Sequence, residues 1–124
     1  MKRTLATKDD VVYFVDEFYK RVRKHKILGP IFNEHIGHLW FLHLDTLNRF
    51  WETLLLDNRT YFGDPFPKHL ELPIKHEHFD IWLILLSNTI DELFEGEKAE
   101  EAKLKGQNLA KSFRKRLAKA GTLK

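Results

Sequence analysis

The sequence has no cysteine, which excludes disulfides, thiolate-held metals, iron–sulfur clusters and cysteine nucleophiles, and fits a reducing, cytoplasmic setting. Serine is almost as scarce. Ser87 and Ser112 both fall in helical patterns, and neither sits in the Gly-x-Ser-x-Gly turn that exposes a serine nucleophile. Glycine-rich phosphate loops are missing. So are long apolar runs: the longest candidate, Ile81 to Leu86, is far short of a membrane span. Met1-Lys2-Arg3-Thr4 leads into charged residues rather than a secretory leader, so a soluble intracellular chain with no membrane partner is expected. No strand-like alternation persists either, which leaves helices as the main element.

Aromatic residues, by contrast, are plentiful. A chain of 124 residues suits one domain, expected here to span 1–124, and 13% of it is Phe, Trp or Tyr. Such side chains build either a dense core or the walls of an apolar cavity for a flat ligand. The first helix is expected to open at Thr7, with Asp9 and Asp10 in its first turn. Its inner stripe is Val11, Val12, Val15, Phe18, Tyr19 and Val22, and Gly29-Pro30 is expected to stop or turn it. A second helix, Leu39 to Leu56, carries Trp40, His43, Leu44, Leu47, Phe50, Trp51 and Leu54 on one stripe. A third runs from about His76 to Phe94, ending at Gly96, with Phe79, Trp82, Leu83, Leu86 and Ile90 inward. A fourth runs from about Lys98 to Ala118, with Ala102, Leu109, Ala110, Phe113 and Leu117 inward.

Seven histidines with no cysteine make imidazole chemistry the central question. His35 with His38, and His76 with His78, lack the i, i+4 spacing and further ligand of a helical zinc site and are expected at the surface. His69 is different, because Pro67 and Pro73 pin its short segment among Phe66, Leu70 and Leu72. It is either a loop histidine or an axial ligand with one ring nitrogen free for a metal. His43, flanked on its stripe by Trp40, Leu47 and Trp51, is either a hydrogen-bonded core residue or part of a cavity wall. Tyr19 and Trp82 each bring one polar atom to a buried stripe. Three donors on three helices suit a shared acceptor such as bound dioxygen, whose partial negative charge they would stabilise.

The order of several short runs carries a resemblance that no single run does. They are Phe18 to Lys24, Leu28-Gly29-Pro30-Ile31-Phe32-Asn33, Trp40-x-x-His43, Phe50-Trp51, Tyr61-x-Gly63-x-Pro65, His69-Leu70-x-Leu72-Pro73 and His78 to Leu83. Over nearly its whole length the chain resembles the group III truncated haemoglobins. The resemblance implies an all-α fold, the truncated globin fold, in which a two-over-two helical sandwich surrounds a haem pocket. It implies haem b (iron protoporphyrin IX) as cofactor, with His69 as the proximal iron ligand. Tyr19, Trp82 and His43 then become the distal tyrosine, tryptophan and histidine. Phe18 and Leu47 become pocket walls, Trp51 packs at the haem-side face of its helix, and Lys68 and Tyr61 are partners for the propionates. Gly37-His38-Leu39, between Ile36 and Trp40, is shorter and less polar than the resemblance implies.

The implied function is binding of dioxygen, nitric oxide, carbon monoxide or a similar ligand, with nitric oxide dioxygenase or peroxidase-like activity if a reductase supplies electrons. Two donors on one ligand imply slow release, which disfavours bulk oxygen transport. The alternative is a haem-free helical module whose basic last helix, Lys111 to Lys119, contacts nucleic acid or an acidic partner. Against it, the same helix starts among Glu97, Glu100 and Glu101, and acid first with base last is what the helix dipole favours. No nucleic-acid partner is therefore expected.

Overall fold

Helix α1, Lys8–Lys24, starts at Thr7 as predicted. The Thr7 hydroxyl accepts from the Asp10 backbone N–H (3.3 Å), and the Asp10 carboxylate accepts in return from the backbone N–H groups of Thr7 (2.9 Å) and Ala6 (3.0 Å). This reciprocal cap satisfies donors that the first turn of a helix leaves open. Against a burial cost, the same donors, the Thr7 hydroxyl and Arg3 hold the Asp10 carboxyl below its ordinary pKa. The computed structural model describes residues 2–56, 61 and 75–119.

The predicted stop at Gly29-Pro30 is corrected. α1 ends at Lys24, and Gly29 and Pro30 lie in the first turn of α2, Leu28–Ile36. Proline costs nothing there, since the N–H it lacks would have no partner within the helix. The glycine before it has no Cβ to clash with the proline ring. His25 starts the new helix: its Nδ1 accepts from the N–H groups of Ile27 (3.1 Å) and Leu28 (3.3 Å). Gly37, at φ 54°, then turns the chain through a short 3-10 turn, Gly37–Leu39, into α3, Trp40–Leu56.

Further along the chain, α4 covers His76–Leu93 and α5 covers Glu97–Lys119, both close to expectation. One element is additional to the all-α reading. Arg3–Thr4 (β1) pairs in parallel with Phe94–Glu95 (β2), which staples the N-terminal segment to the α4–α5 corner. Burial explains the staple: Leu5 is fully buried, Phe94 nearly so, and the Tyr13 ring stands edge-on to Phe94 at 5.8 Å. Among the described residues, no helix is long and apolar enough to cross a membrane.

The helices form two layers, with α1 on α3 in one and α4 on α5 in the other, and α1 packs across to α4. Phe14, which the predicted stripe omits, is the hub between them. It stacks on Phe18 (5.9 Å) and meets Trp51 (5.1 Å) and Phe94 (6.3 Å) edge-on. The α5 side of its layer is lined by small buried residues, Ala99, Ala102, Gly106 and Ala110, which let α4 approach closely. A Cβ on Gly106 would lie 2.0 Å from Leu86 Cδ2 and 3.7 Å from the Trp82 ring. Leu86 is fully buried and has no solvent to swing into.

Gly106→Ala is therefore expected to destabilise despite alanine's better helix propensity. Overpacking costs about 1–3 kcal/mol against a propensity gain of about 1 kcal/mol. Chemical denaturation would measure the net loss, and a midpoint equal to or above that of the parent chain would refute the close-approach argument.

Candidate functional site

A line of rings runs from the middle of α1 to the head of α3. Phe18 and Tyr19 are neighbours in sequence and point into the core because both fall on the buried stripe of α1. Their ring centroids are 4.7 Å apart, and Phe18 also meets Trp82 of α4 at 5.4 Å. Tyr19 in turn lies 6.4 Å from Trp40, whose ring is edge-on to His43 at 5.5 Å. Three of the predicted donors, on α1, α4 and α3, thus belong to one connected group. Their burial differs: Tyr19 is 6% exposed, whereas Trp82 and His43 are only half-buried.

The Trp82 indole N–H acts on the Tyr19 hydroxyl from α4, favouring its ionised form. An indole N–H can only donate, so it makes no claim on the hydroxyl proton, which stays available for an acceptor elsewhere. Burial is the larger influence and pushes the Tyr19 hydroxyl up to about 12. The group is consequently a neutral O–H donor throughout the physiological range.

The remaining predicted residues divide in two. Phe18 is fully buried, Leu47 is half-buried at the edge of the main core, and Trp51 is 1% exposed between Phe14 and Phe50. Tyr61 reaches the same end of α3: its ring is edge-on to Phe50 at 5.4 Å, and its backbone N–H donates to the Thr53 hydroxyl (3.1 Å). His69 and Lys68 lie outside the described residues. As chemistry, the described residues fit a flat apolar group with a polar edge: aromatic and aliphatic side chains throughout, with donors collected at the Tyr19 end.

Two residues outside the predicted set complete that end. Asn33, on α2, accepts from the Trp40 indole N–H through Oδ1 (2.9 Å) and donates through Nδ2 to the Arg23 carbonyl (3.2 Å). The Arg23 guanidinium lies over the Trp40 ring at 4.7 Å. Arg23 follows Tyr19 by four residues and so shares its side of α1, which is a legible signal. Asn33 and Trp40 come from different helices at no regular spacing, and no sequence pattern joins them.

The other histidines are mostly as expected. His35 and His38 are exposed, as is His76, and no metal-holding group of three His, Cys, Asp or Glu occurs among the described residues. His78 is a correction: it is buried rather than at the surface, and its Nδ1 accepts from the Lys75 backbone N–H (2.9 Å) to cap α4. At the basic end of α5, Lys111 and Lys115 are exposed, while Arg114 is tied to the His76 carbonyl and the Asp80 carboxylate of α4.

No family model matches the chain. It is 34% identical over 125 residues to the group 3 truncated haemoglobin Ctb of Campylobacter jejuni, covering 98% of each chain. Its fold superposes on the crystal structure of a group III truncated haemoglobin from Campylobacter jejuni with a TM-score of 0.86 and 34% identity. That match covers 94% of this chain and 95% of the other.

Proposed function

Because the chain belongs to the group III truncated haemoglobins, we propose that it binds haem b and holds a diatomic ligand beside Tyr19. Haem supplies the iron at which dioxygen, nitric oxide or carbon monoxide binds; the protein supplies an axial imidazole, hydrogen-bond donors and an apolar enclosure. We assign the imidazole to His69, on its position between Pro67 and Pro73 and on the family pattern. Phe18, Leu47 and Trp51 are the apolar surround. Lys68 and Tyr61 are the partners for the propionates, which need a cation and a hydroxyl near the solvent edge.

The observation that carries this reading is the Tyr19–Trp82 pair. A buried phenol that stays protonated has a proton to give, and it sits among rings that exclude competing water. The Trp82 indole brings a second donor to the same group, and His43, one turn into α3, adds an imidazole at its edge. Donors fixed before the ligand arrives need no reorganisation to receive its partial negative charge. Such a site binds dioxygen with slow release, which suits gas capture or redox turnover better than bulk transport. Oxidation of nitric oxide or reduction of peroxide would draw electrons from a separate reductase.

Addition of haemin to the purified chain tests the assignment. Stoichiometric uptake, with a Soret band that shifts between ferric, ferrous and carbonyl forms, is expected. A chain that stays colourless and takes up no haemin would sink the reading. The engagement of Arg114 with α4 supports a solvated, structural end for α5 over a nucleic-acid surface.

A further inference from the structure

The head of α3 has one buried side chain, with Leu44 and Leu47 only half-buried against the core. From Ile31 through Phe50, all of them described, Trp40 alone is buried. Its neighbours Leu39, Phe41 and Leu42 are 48%, 83% and 62% exposed. The segment enters through Gly37 and a 3-10 turn, so its backbone adds little rigidity. A region whose other core contacts are only half-buried opens at lower free energy than the core does, unless something specific ties it down.

The tie is the Trp40 indole. Asn33 Oδ1 takes its N–H at 2.9 Å, the Arg23 guanidinium covers its face at 4.7 Å, and Asn33 is itself anchored to the Arg23 carbonyl at 3.2 Å. Trp40 is thereby referenced to the last turn of α1, the same helix that carries Tyr19. His43, three residues on, meets the indole edge-on at 5.5 Å and an interplanar angle of 81°. The indole thus forms one wall against which the imidazole stands.

We propose that Asn33 and Arg23 are positioning residues that, through Trp40, hold His43 in place at the ligand side of the pocket and so set how fast a diatomic ligand is admitted. The role of His43 in admission rests on the haem-binding reading above; the coupling of His43 to Asn33 does not. Asn33 is exposed, so its replacement leaves the core intact. Asn33→Ala removes the acceptor for the indole, whereas Asn33→Asp keeps it and puts a carboxylate oxygen where the amide donated to the Arg23 carbonyl. Loss of one net hydrogen bond predicts carbon monoxide association about fivefold faster in Asn33→Ala, with dissociation changed by less than about twofold. Asn33→Asp should restore the parent rate, and Asn33→Ala should add nothing in a His43→Ala background.

The same variants are read before haemin is added, from the His43 ring protons by NMR. Asn33→Ala should move and broaden them, and Asn33→Asp should leave them in place. Unmoved His43 resonances, or an Asn33→Ala effect that persists without His43, would overturn the proposal. Moved resonances in a chain that takes up no haemin would sink the haem reading and keep the positioning role. Unmoved resonances in a chain that does take it up would do the reverse.

Discussion

Tyr19→Phe is expected to release dioxygen on the order of ten- to a hundredfold faster than the parent chain. A hydrogen bond to a group carrying charge contributes about 1.5–3 kcal/mol, and this substitution removes the donor while keeping the ring. The ring must stay because it is part of the core: Tyr19 contacts Phe18 at 4.7 Å and Trp40 at 6.4 Å. Trp82→Phe should have a smaller effect in the same direction, since the indole is only half-buried whereas Tyr19 is enclosed. Stopped-flow displacement of dioxygen by carbon monoxide measures both, and off-rates equal to the parent's would remove Tyr19 from the role assigned to it.

The same hydroxyl makes a separable prediction about pH. Burial raises it from 10.0 to about 12, so the folded state keeps a proton that the unfolded state loses first. Stability from this source is therefore fully present below pH 10 and declines as pH rises towards 12. Tyr19→Phe should flatten that part of an alkaline unfolding profile. A profile with the same slope in both chains would argue that the phenol is not buried as described.

His69→Ala is the second large effect, and it rests on sequence and family pattern. With the axial imidazole gone, haem retention is expected to fall at least about a hundredfold, since even the groups that merely support a metal ligand cost ten- to a hundredfold when removed. Added imidazole should recover the parent absorption spectrum by occupying the vacated position, which a misfolded variant could not show. Retention and spectrum unchanged in His69→Ala would transfer the axial role to another histidine. His43 and His78 are then poorer candidates than they look in sequence, because one is set against Trp40 and the other caps α4.

Much of the architecture was legible because helical periodicity and capping are local. Thr7 with Asp10, the inner stripes of α1 and α4, and the glycine after α4 each announce themselves within a turn or two of chain. Gly29-Pro30 misled for an equally local reason. The pair reads as a stop, but proline is harmless in a first turn, and only the His25 imidazole bonding forward to Ile27 and Leu28 reveals that a new helix begins there. His78 reads as a surface residue beside Glu77, yet the bond from the Lys75 N–H draws its ring inward. Spacing alone does not single out Phe14 among the aromatics of α1, because its place as the hub depends on Trp51 and Phe94, far away in the chain.

For the candidate site, the amino-acid sequence determined the chemical inventory: no thiol, seven histidines, and a phenol and an indole each on an inward stripe. The order of its motifs determined the family. What only the tertiary structure decided is which polar atoms meet. The approach of the Trp82 indole to the Tyr19 hydroxyl, the clasp of Asn33 and Arg23 on Trp40, and the fit of Leu86 over Gly106 each join different helices. Periodicity reports which side of a helix faces inward, but not the axial offset or rotation between two helices. Those are settled by packing, where a shift of an ångström or two makes or breaks a hydrogen bond.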